Sequence, residues 1–191
     1  MRVVFIGPPG AGKGTQCQLL SNDLRVPHLS TGEILRKAKA EQTPLGKAIA
    51  NGLDSGAYVD DETMIQLVRE RIDQPDCENG FILDGFPRTI PQARNLPPVL
   101  GPTRELSAVF ALLVEPSVVN QRLSNRFANA ENPRPEDHAD TIPKRLEIYE
   151  TATLPLVDFY RQSNLLHEID GHGSPEEVYK RVRSALSGLA D

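Results

Sequence analysis

Long apolar runs, an excess of positive charge and a targeting segment are all missing from this 191-residue sequence. No stretch approaches the roughly 20 apolar residues that a membrane-spanning helix needs, so we expect no membrane partner. The net charge of −5 disfavours general nucleic-acid binding, which requires a broad basic surface. The chain opens directly on an apolar strand pattern, with neither a signal peptide nor a transit peptide ahead of it, and we therefore expect a cytoplasmic protein.

Cysteine is scarce as well, since Cys17 and Cys77 are the only two. Cys17 shares the apolar face of a predicted helix with Leu20 and Leu24, which is typical of a small buried side chain. Cys77 falls in a polar loop. Neither cysteine has a cysteine or histidine partner at metal-ligand spacing, so we expect no zinc. Surface or loop positions are predicted for the four histidines, which are His28, His138, His167 and His172.

Short apolar runs alternate with longer helical patterns along the chain. The apolar runs predict five strands, at 3–6, 26–29, 81–83, 109–114 and 165–169. The helical patterns lie at 16–24, 32–40, 44–53, 61–73, 89–96, 117–127, 141–162 and 175–188. This alternation predicts one α/β domain over residues 1–191, in which helices flank both faces of a parallel sheet. Ligands of such sheets bind beyond the carboxyl ends of the strands.

The segment Gly7-Pro8-Pro9-Gly10-Ala11-Gly12-Lys13-Gly14-Thr15 lies between the first strand and the first helix. A glycine-rich turn in this position is typical of a phosphate-binding loop, or P-loop. The glycines let backbone N–H groups approach anionic oxygens, the helix start adds partial positive charge, and Lys13 adds a full charge. Ser or Thr usually follows the lysine directly, whereas here Gly14 stands between Lys13 and Thr15.

A carboxylate and an arginine follow the predicted third strand, in Asp84-Gly85-Phe86-Pro87-Arg88. Mg²⁺ keeps several of its waters, so a single carboxylate beside a phosphate loop suffices to hold it. The alternative is that Asp84 only forms a turn or caps a helix, and that Arg88 is a surface charge. The neighbouring P-loop favours the magnesium site.

Four further arginines lie in the second half of the chain. Arg122 and Arg126 share one face of a predicted helix, Arg134 lies in a polar loop, and Arg145 lies on the helix beyond it. The planar guanidinium suits phosphate oxygens and stays charged when it is desolvated. Taken singly, each arginine is an ordinary surface charge. Grouped with a P-loop, they indicate phosphoryl transfer, which needs positioning and positive charge rather than a nucleophile.

These motifs resemble the adenylate kinase family over nearly the whole chain. The matching segments are GPPGAGKGTQ (7–16), STGEILR (30–36), GFILDGFPRT (80–89) with Gln92, and RLSNR (122–126). Glycine directly after the lysine is what this family carries. The resemblance implies Mg²⁺-dependent, reversible phosphoryl transfer from ATP to AMP, giving two ADP. It also implies a monomer that acts on these small molecules, with no nucleic-acid or membrane partner.

The resemblance further implies a role for each candidate site residue. The catalytic residues would be Lys13, Arg88, Arg126, Arg134 and Arg145. ATP would contact Gly10, Ala11, Gly12, Lys13, Gly14, Thr15, Arg122, Arg126 and Gly173. AMP would contact Thr31, Arg36, Ala57, Tyr58, Val59, Gly85, Phe86, Pro87, Arg88, Gln92, Arg134 and Arg145. Asp84 would hold Mg²⁺ through water, and Gln92 would read the edge of the adenine.

Two mobile parts are implied as well, a helical AMP-binding insertion at about 30–59 and a short lid at about 126–136. The lid would exclude water, which otherwise competes with AMP for the phosphoryl group. The lid resembles the short form of the family, without the small extra domain that often binds zinc. Pro-Glu-Asp-His-Ala-Asp follows Arg134 in place of the more usual paired acidic residues, and this departure bears on lid motion.

Three other functions compete with this interpretation. A kinase for UMP or CMP would have the same fold, but such relatives tend to carry Ala and Asn where this chain has Thr31 and Gln92. GTP is the weaker candidate for the donor. A non-catalytic nucleotide-binding module would have lost Lys13, Arg88 or a lid arginine. A plain ATPase would need a residue that orients water, and this function would not explain the STGEILR (30–36) and GFILDGFPRT (80–89) segments.

Overall fold

The computed structural model of the protein describes residues 1–188, so the last three residues of the predicted domain lie outside it. All five predicted strands are present and form one parallel sheet in the order β2-β3-β1-β4-β5. The strands are Arg2–Ile6 (β1), His28–Ser30 (β2), Phe81–Asp84 (β3), Ala108–Leu113 (β4) and Leu166–Asp170 (β5). The predicted α/β class with a five-stranded parallel sheet is therefore confirmed.

Nine α-helices of the described residues surround this sheet. They are Lys13–Leu24 (α1), Thr31–Ala40 (α2), Pro44–Asp54 (α3), Asp61–Ile72 (α4), Ile90–Leu100 (α5), Pro116–Asn129 (α6), Ile142–Ile148 (α7), Pro155–Arg161 (α8) and Pro175–Ser187 (α9). Helix α1 begins at Lys13 rather than at residue 16, so the end of the P-loop forms its first turn. Between β2 and α4 the chain is helical, as predicted for residues 30–60.

The central strands are apolar on both faces because helices cover both faces of the sheet. In β1, Val4 and Ile6 pack into a cluster with residues of α4, α5 and α8. Val3 and Phe5 point to the other face and pack with α1 and α9. This two-sided burial explains why the first, third and fourth apolar runs show no alternation with polar residues.

One helical segment departs from a regular geometry. The single helix predicted at 141–162 is divided into α7, a π-helical turn at Tyr149–Thr153 and α8. Pro155 has no N–H to donate, and the N–H of Leu154 bonds to the carbonyl of Tyr149, five residues back, at 2.8 Å. The wide turn directs Thr153 inward, where its hydroxyl donates to the carbonyl of Arg88 at 2.8 Å.

The predicted positions of one cysteine and two histidines, in loops or at the surface, were wrong. Cys77 lies in a short 3₁₀ turn at Pro75–Cys77 and is fully buried, with its sulfur 3.2 Å from a guanidinium nitrogen of Arg71. His28 and His167 lie in strands rather than in surface loops, and His167 packs against Phe110 with ring centroids 5.6 Å apart. Within residues 1–188, no helix combines the length and the apolar character needed to cross a membrane.

The parallel sheet brings three strand ends to one edge. Ser30 at the end of β2 pairs with Asp84 at the end of β3, and Asp84 pairs with Phe5 near the end of β1. The P-loop leaves β1 at this edge. The predicted site residues of three separate segments are thereby placed around a common cleft.

Candidate active site

The P-loop is held in shape by its backbone and by the helix packed behind it. Gly10 has φ +79°, and a Cβ on it would come within 2.9 Å of Leu123 Cγ and 3.1 Å of the carbonyl of Val119. Gly12 has φ +95° and stands directly before α1. Among residues 1–188, no side chain caps the N–H groups of the first turn of α1, which suits an anion.

Lys13 lies at the base of this loop and is folded back onto it. Its ammonium donates to the carbonyls of Gly7 and Pro8 at 2.8 and 2.9 Å. Burial lowers the pKa of Lys13 to about 8; the charge of Asp84 opposes this shift and that of Arg88 adds to it. The amine is thus a desolvated cation whose charged form gains from an anion nearby.

Asp84 closes the same side of the cleft. One of its carboxylate oxygens is 3.3 Å from Nε2 of His28, and its backbone carbonyl accepts from the hydroxyl of Thr31 at 3.2 Å. Burial acts to raise the pKa of Asp84, but the hydrogen bond from His28 and the charge of Lys13 outweigh it and leave the pKa below its ordinary value. The carboxylate is ionised, and it suits a hard cation or its water shell.

The predicted arginines converge on this cleft, which has a volume of about 720 Å³. Lys13 and Asp84 line it together with Arg36, Arg88, Arg122, Arg126, Arg134 and Arg145. This volume falls in the ordinary range for small-molecule sites. Arg122 joins the P-loop to the end of β5, because it donates to the carbonyls of Ala11 at 3.2 Å and Gly171 at 3.0 Å.

An acidic pair, Glu136 and Asp137, balances part of this positive charge. Asp137 is fully buried and accepts two hydrogen bonds of 2.6 Å from Arg126 and one from Arg145. Glu136 accepts from Arg36 at 3.0 Å, which joins the lid to α2. The expectation that the segment after Arg134 lacks the usual acidic pair is wrong, because Glu136 and Asp137 form such a pair. The Arg-x-Glu-Asp spacing was the signal in the sequence.

Arg134 stands apart from this pairing. The described residues offer no hydrogen-bond acceptor to its guanidinium, and burial together with the charges of Arg36 and Arg126 lowers its pKa. Arginine stays protonated even so. The cluster therefore holds an arginine that is ready for an external anion.

A second, narrower pocket lies beside the cleft, between α2, α3 and α5. Of the residues predicted to contact AMP, nine line this pocket: Thr31, Arg36, Ala57, Tyr58, Val59, Gly85, Arg88, Gln92 and Arg145. Phe86, Pro87 and Arg134 do not line it. The ring of Tyr58 lies 4.8 Å from the guanidinium carbon of Arg88, and its hydroxyl is 2.9 Å from that of Thr153. Neither the Tyr58–Arg88 stack nor Thr153 was predicted from the sequence.

Gln92 is buried in this pocket and held in one orientation. Its carbonyl oxygen accepts from the N–H of Arg88 at 2.7 Å, and its amide nitrogen donates to Asp61 at 2.8 Å. A carboxylate can only accept and a backbone N–H can only donate, so the amide cannot be flipped. Gly173, by contrast, lies outside both pockets, in the turn between β5 and α9, where its φ is +103°.

The carboxyl edge of this five-stranded parallel sheet carries a P-loop and a cluster of arginines around one cleft. This combination defines a P-loop nucleotide kinase. Residues 5–165 match the family model described as adenylate kinase, and the chain belongs to this family. It is 42% identical over 192 positions to an adenylate kinase of Nocardioides sp., with all of both chains covered. It is 41% identical over 186 positions to an adenylate kinase of Leptospira biflexa, with 97% of this chain and 99% of the relative covered.

A third relative differs in length. The chain is 39% identical over 214 aligned positions to an adenylate kinase of Geotalea daltonii, with 98% of this chain and 100% of the relative covered. Because the alignment is longer than the 191 residues of this chain, that relative carries additional residues. The match in length to the Nocardioides relative agrees with the short form of the lid.

Proposed function

We propose that this protein transfers a phosphoryl group reversibly from ATP to AMP, giving two ADP, with Mg²⁺ bound to the nucleotide. The observation that carries the proposal is the convergence of Lys13, Asp84 and six arginines on a cleft that adjoins a second pocket containing Gln92. Two neighbouring nucleotide sites with positive charge between them suit direct transfer between phosphates. We further propose a cytoplasmic monomer that contributes to the balance and synthesis of adenine nucleotides.

The donor phosphates fit the P-loop. We assign Gly10 to Thr15 to the β- and γ-phosphates of ATP, because the backbone N–H groups at the start of α1 have no capping acceptor. The Lys13 ammonium now donates to the carbonyls of Gly7 and Pro8. When ATP binds, the phosphate oxygens would replace these carbonyls as its hydrogen-bond acceptors. Gly173 is assigned to the adenine of ATP on the family resemblance alone.

Asp84 is the residue that we assign to Mg²⁺. Its carboxylate lines the cleft close to the P-loop, is ionised, and offers the oxygen donor that this ion prefers. Bound Mg²⁺ would neutralise charge on the ATP phosphates. The protein's own part is to hold that carboxylate in place, through its pairing with His28 and its position at the end of β3.

The acceptor fits the narrower pocket. With one N–H bonded to Asp61 and one lone pair occupied by Arg88, the amide of Gln92 retains one donor and one acceptor. Adenine presents an acceptor nitrogen beside a donor amino group, which complements this pair. Guanine presents the reverse pattern, and the fixed amide cannot turn to meet it. Thr31, Arg36 and Arg88 would hold the rest of AMP.

The transferring group would lie among the arginines. Arg126 and Arg145 now bond to Asp137, and Arg36 bonds to Glu136. We infer that nucleotide phosphates replace these carboxylates at part of the guanidinium surface, and that Arg134 binds them directly. Positive groups that are fixed before the reaction stabilise charge on a migrating phosphoryl group without reorganisation at the moment of transfer. No covalent enzyme intermediate is needed.

ADP formation from ATP and Mg²⁺ tests this proposal, with AMP, GMP, UMP or CMP as the acceptor and a control without acceptor. We expect rapid ADP formation with AMP and background rates with GMP and without acceptor. Faster turnover with GMP or UMP, whose bases present the reverse hydrogen-bonding pattern, would keep the fold and overturn the assignment of Gln92. Faster turnover with CMP would keep the fold and overturn AMP as the acceptor. ADP formation that does not depend on any acceptor would identify an ATPase and overturn the kinase proposal.

A further inference from the structure

Three side chains of different chemistry meet below the cleft, although they are far apart in the sequence. The sulfur of Cys17 on α1, a ring nitrogen of His28 on β2 and a carboxylate oxygen of Asp84 on β3 all lie within 4.8 Å of one another. The sequence suggested no histidine partner for Cys17 at a metal-ligand spacing, and the parallel sheet supplies one. In the proposed reaction Asp84 holds Mg²⁺ and His28 only positions Asp84, while Cys17 has no part.

We propose that Cys17, His28 and Asp84 form a binding site for a soft divalent cation such as Zn²⁺, and that its occupation inhibits the enzyme. Sulfur, imidazole and carboxylate together suit Zn²⁺, whereas Mg²⁺ takes oxygen ligands. Three protein ligands with one open position are a common arrangement for zinc. The site thus differs from the Mg²⁺ site in ligand chemistry, while sharing one carboxylate with it.

The geometry needs little change to accept the ion. Tetrahedral zinc at ordinary bond lengths places its nitrogen and oxygen ligands about 3.4 Å apart. His28 Nε2 and Asp84 Oδ2 are already 3.3 Å apart. Sulfur and nitrogen ligands would be about 3.6 Å apart. The distance from the Cys17 sulfur to the imidazole nitrogen is at most 4.8 Å, so it has to shorten by no more than about 1.2 Å.

The ion can reach the site from the cleft. His28 and Asp84 line the cleft, with side chains that are 10% and 14% exposed. Cys17 is fully buried behind them. An entering cation would meet the imidazole and the carboxylate first and the sulfur last, with release of the thiol proton. Once bound, it would withdraw the Asp84 carboxylate from Mg²⁺ and place positive charge beside Lys13.

Titration of the nucleotide-free protein with Co²⁺ tests the binding step separately from catalysis. Tetrahedral Co²⁺ absorbs in the visible, and a thiolate ligand adds a charge-transfer band in the near ultraviolet. We expect one Co²⁺ per chain, with both bands, displaced by Zn²⁺. Cys17→Ala should abolish the charge-transfer band, and both it and His28→Gln should weaken Zn²⁺ binding at least ~10-fold, because even losing a residue that only supports a ligand costs that much.

Cys77→Ala is the matched control, since Cys77 is equally buried and lies outside this cluster. It should leave the band and the affinity unchanged. Absence of Co²⁺ binding, binding without the thiolate band, or loss of the band in Cys77→Ala would each overturn the site. If Cys17→Ala fails to fold, the band and the His28→Gln affinity decide the question.

The inhibition rests on the proposed kinase function and is measured separately. With AMP and saturating Mg·ATP, added Zn²⁺ should lower turnover of the native enzyme, and a zinc chelator should restore it. Cys17→Ala should resist Zn²⁺, measured against its own rate without the ion. Zn²⁺ binding without such inhibition would refute the inhibitory role and keep the site, whereas absence of any kinase activity would count against the proposed function alone.

Discussion

The two sides of the cleft that we propose to bind phosphate are built from different chemical groups. On the P-loop side, the groups that face the ligand are mainly backbone N–H groups, fixed by Gly10 and Gly12 and by the packing of α1 and α6. On the lid side, they are arginine side chains that rise from α2, α6, α7 and the lid. The P-loop is held in shape by its backbone and packing, whereas Arg36, Arg126 and Arg145 are held by ion pairs with Glu136 and Asp137.

This difference separates two physical problems. A loop built from backbone costs little to hold ready, because its partial charges come from the helix itself. A group of guanidinium ions repels itself, and its members need anions nearby. The acidic pair supplies those anions while the site holds no substrate, and we infer that it is also what the phosphates compete with. The lid side should therefore respond to charge changes, and the P-loop side to changes of shape.

The largest expected effects come from removing a single cation, either Lys13 from the P-loop or Arg88 from the segment between β3 and α5. Lys13→Met and Arg88→Ala should each reduce turnover at least ~100-fold, because in the proposed reaction both groups stabilise charge on the transferring phosphoryl group. Steady-state rates with ATP and AMP measure this. Lys47→Met and Arg94→Ala are matched controls with exposed side chains and should retain nearly full activity. Near-normal rates in either site variant would contradict the role of that residue.

Base selection is the next largest expected effect. Gln92→Leu should reduce the preference for AMP over GMP at least ~10-fold, because a buried hydrogen-bonding group rejects a mismatched edge strongly. The preference over CMP should change less, since cytosine offers the same hydrogen-bonding pattern as adenine and differs in size. The ratios of kcat/KM for the acceptors measure both. Asn95→Leu, on an exposed face of α5, is the control. An unchanged AMP-to-GMP ratio would refute base reading by Gln92.

Features that depend on neighbouring residues could be predicted from the sequence. The P-loop needs only a strand, glycines, a lysine and a helix in succession, and Asp84 needs only to end a buried strand. The convergence of the arginines followed from the family resemblance. The alternation of strands and helices also predicted the parallel sheet. A strand that is buried on both faces is a continuous apolar run, and each such run can be recognised on its own.

The features that were missed depend on partners distant in the chain. In the structure, Glu136 and Asp137 form ion pairs with Arg36, Arg126 and Arg145. The sequence alone does not identify these partners. Cys17 and His28 belong to different elements that only the order of the sheet brings together. The π-turn depends on Pro155, but its inward direction depends on contacts with Arg88 and Tyr58. Contacts between residues that are distant in the chain cannot be predicted from local sequence patterns.

A change of shape should act on the P-loop more than a change of charge. Gly10→Ala should lower the free energy of unfolding by about 2 kcal/mol or more, since it forces an L residue to positive φ against Leu123. Gly52→Ala is the matched control, because Gly52 lies inside α3 with nothing near its missing Cβ. That change should stabilise the protein by about 0.5–1 kcal/mol. Urea unfolding of both variants measures the contrast, and equal effects would refute it.

The smallest expected effect is on the lid side, where the charge of Asp137 can be removed with little change of shape. Asp137→Asn should lower the free energy of unfolding at pH 7 by about 1.5–2 kcal/mol, at the low end of the range for hydrogen bonds to charged groups. Burial acts to raise the pKa of Asp137, but Arg126 and Arg145 outweigh it and hold the pKa below its ordinary value. The stabilisation is therefore complete above the ordinary carboxyl pKa of about 3.9 and is lost as the pH falls through the folded value.

The variant lacks this titration, so its stability should fall less than that of the native chain when both are acidified. Urea unfolding at a series of pH values between neutral and strongly acidic measures the two curves. Asp140→Asn, with a side chain that is 88% exposed, should follow the native curve. If Asp137→Asn loses as much stability on acidification as the native chain, the ion pairs of Asp137 contribute nothing to the lid, and the arginines are held in place by packing alone.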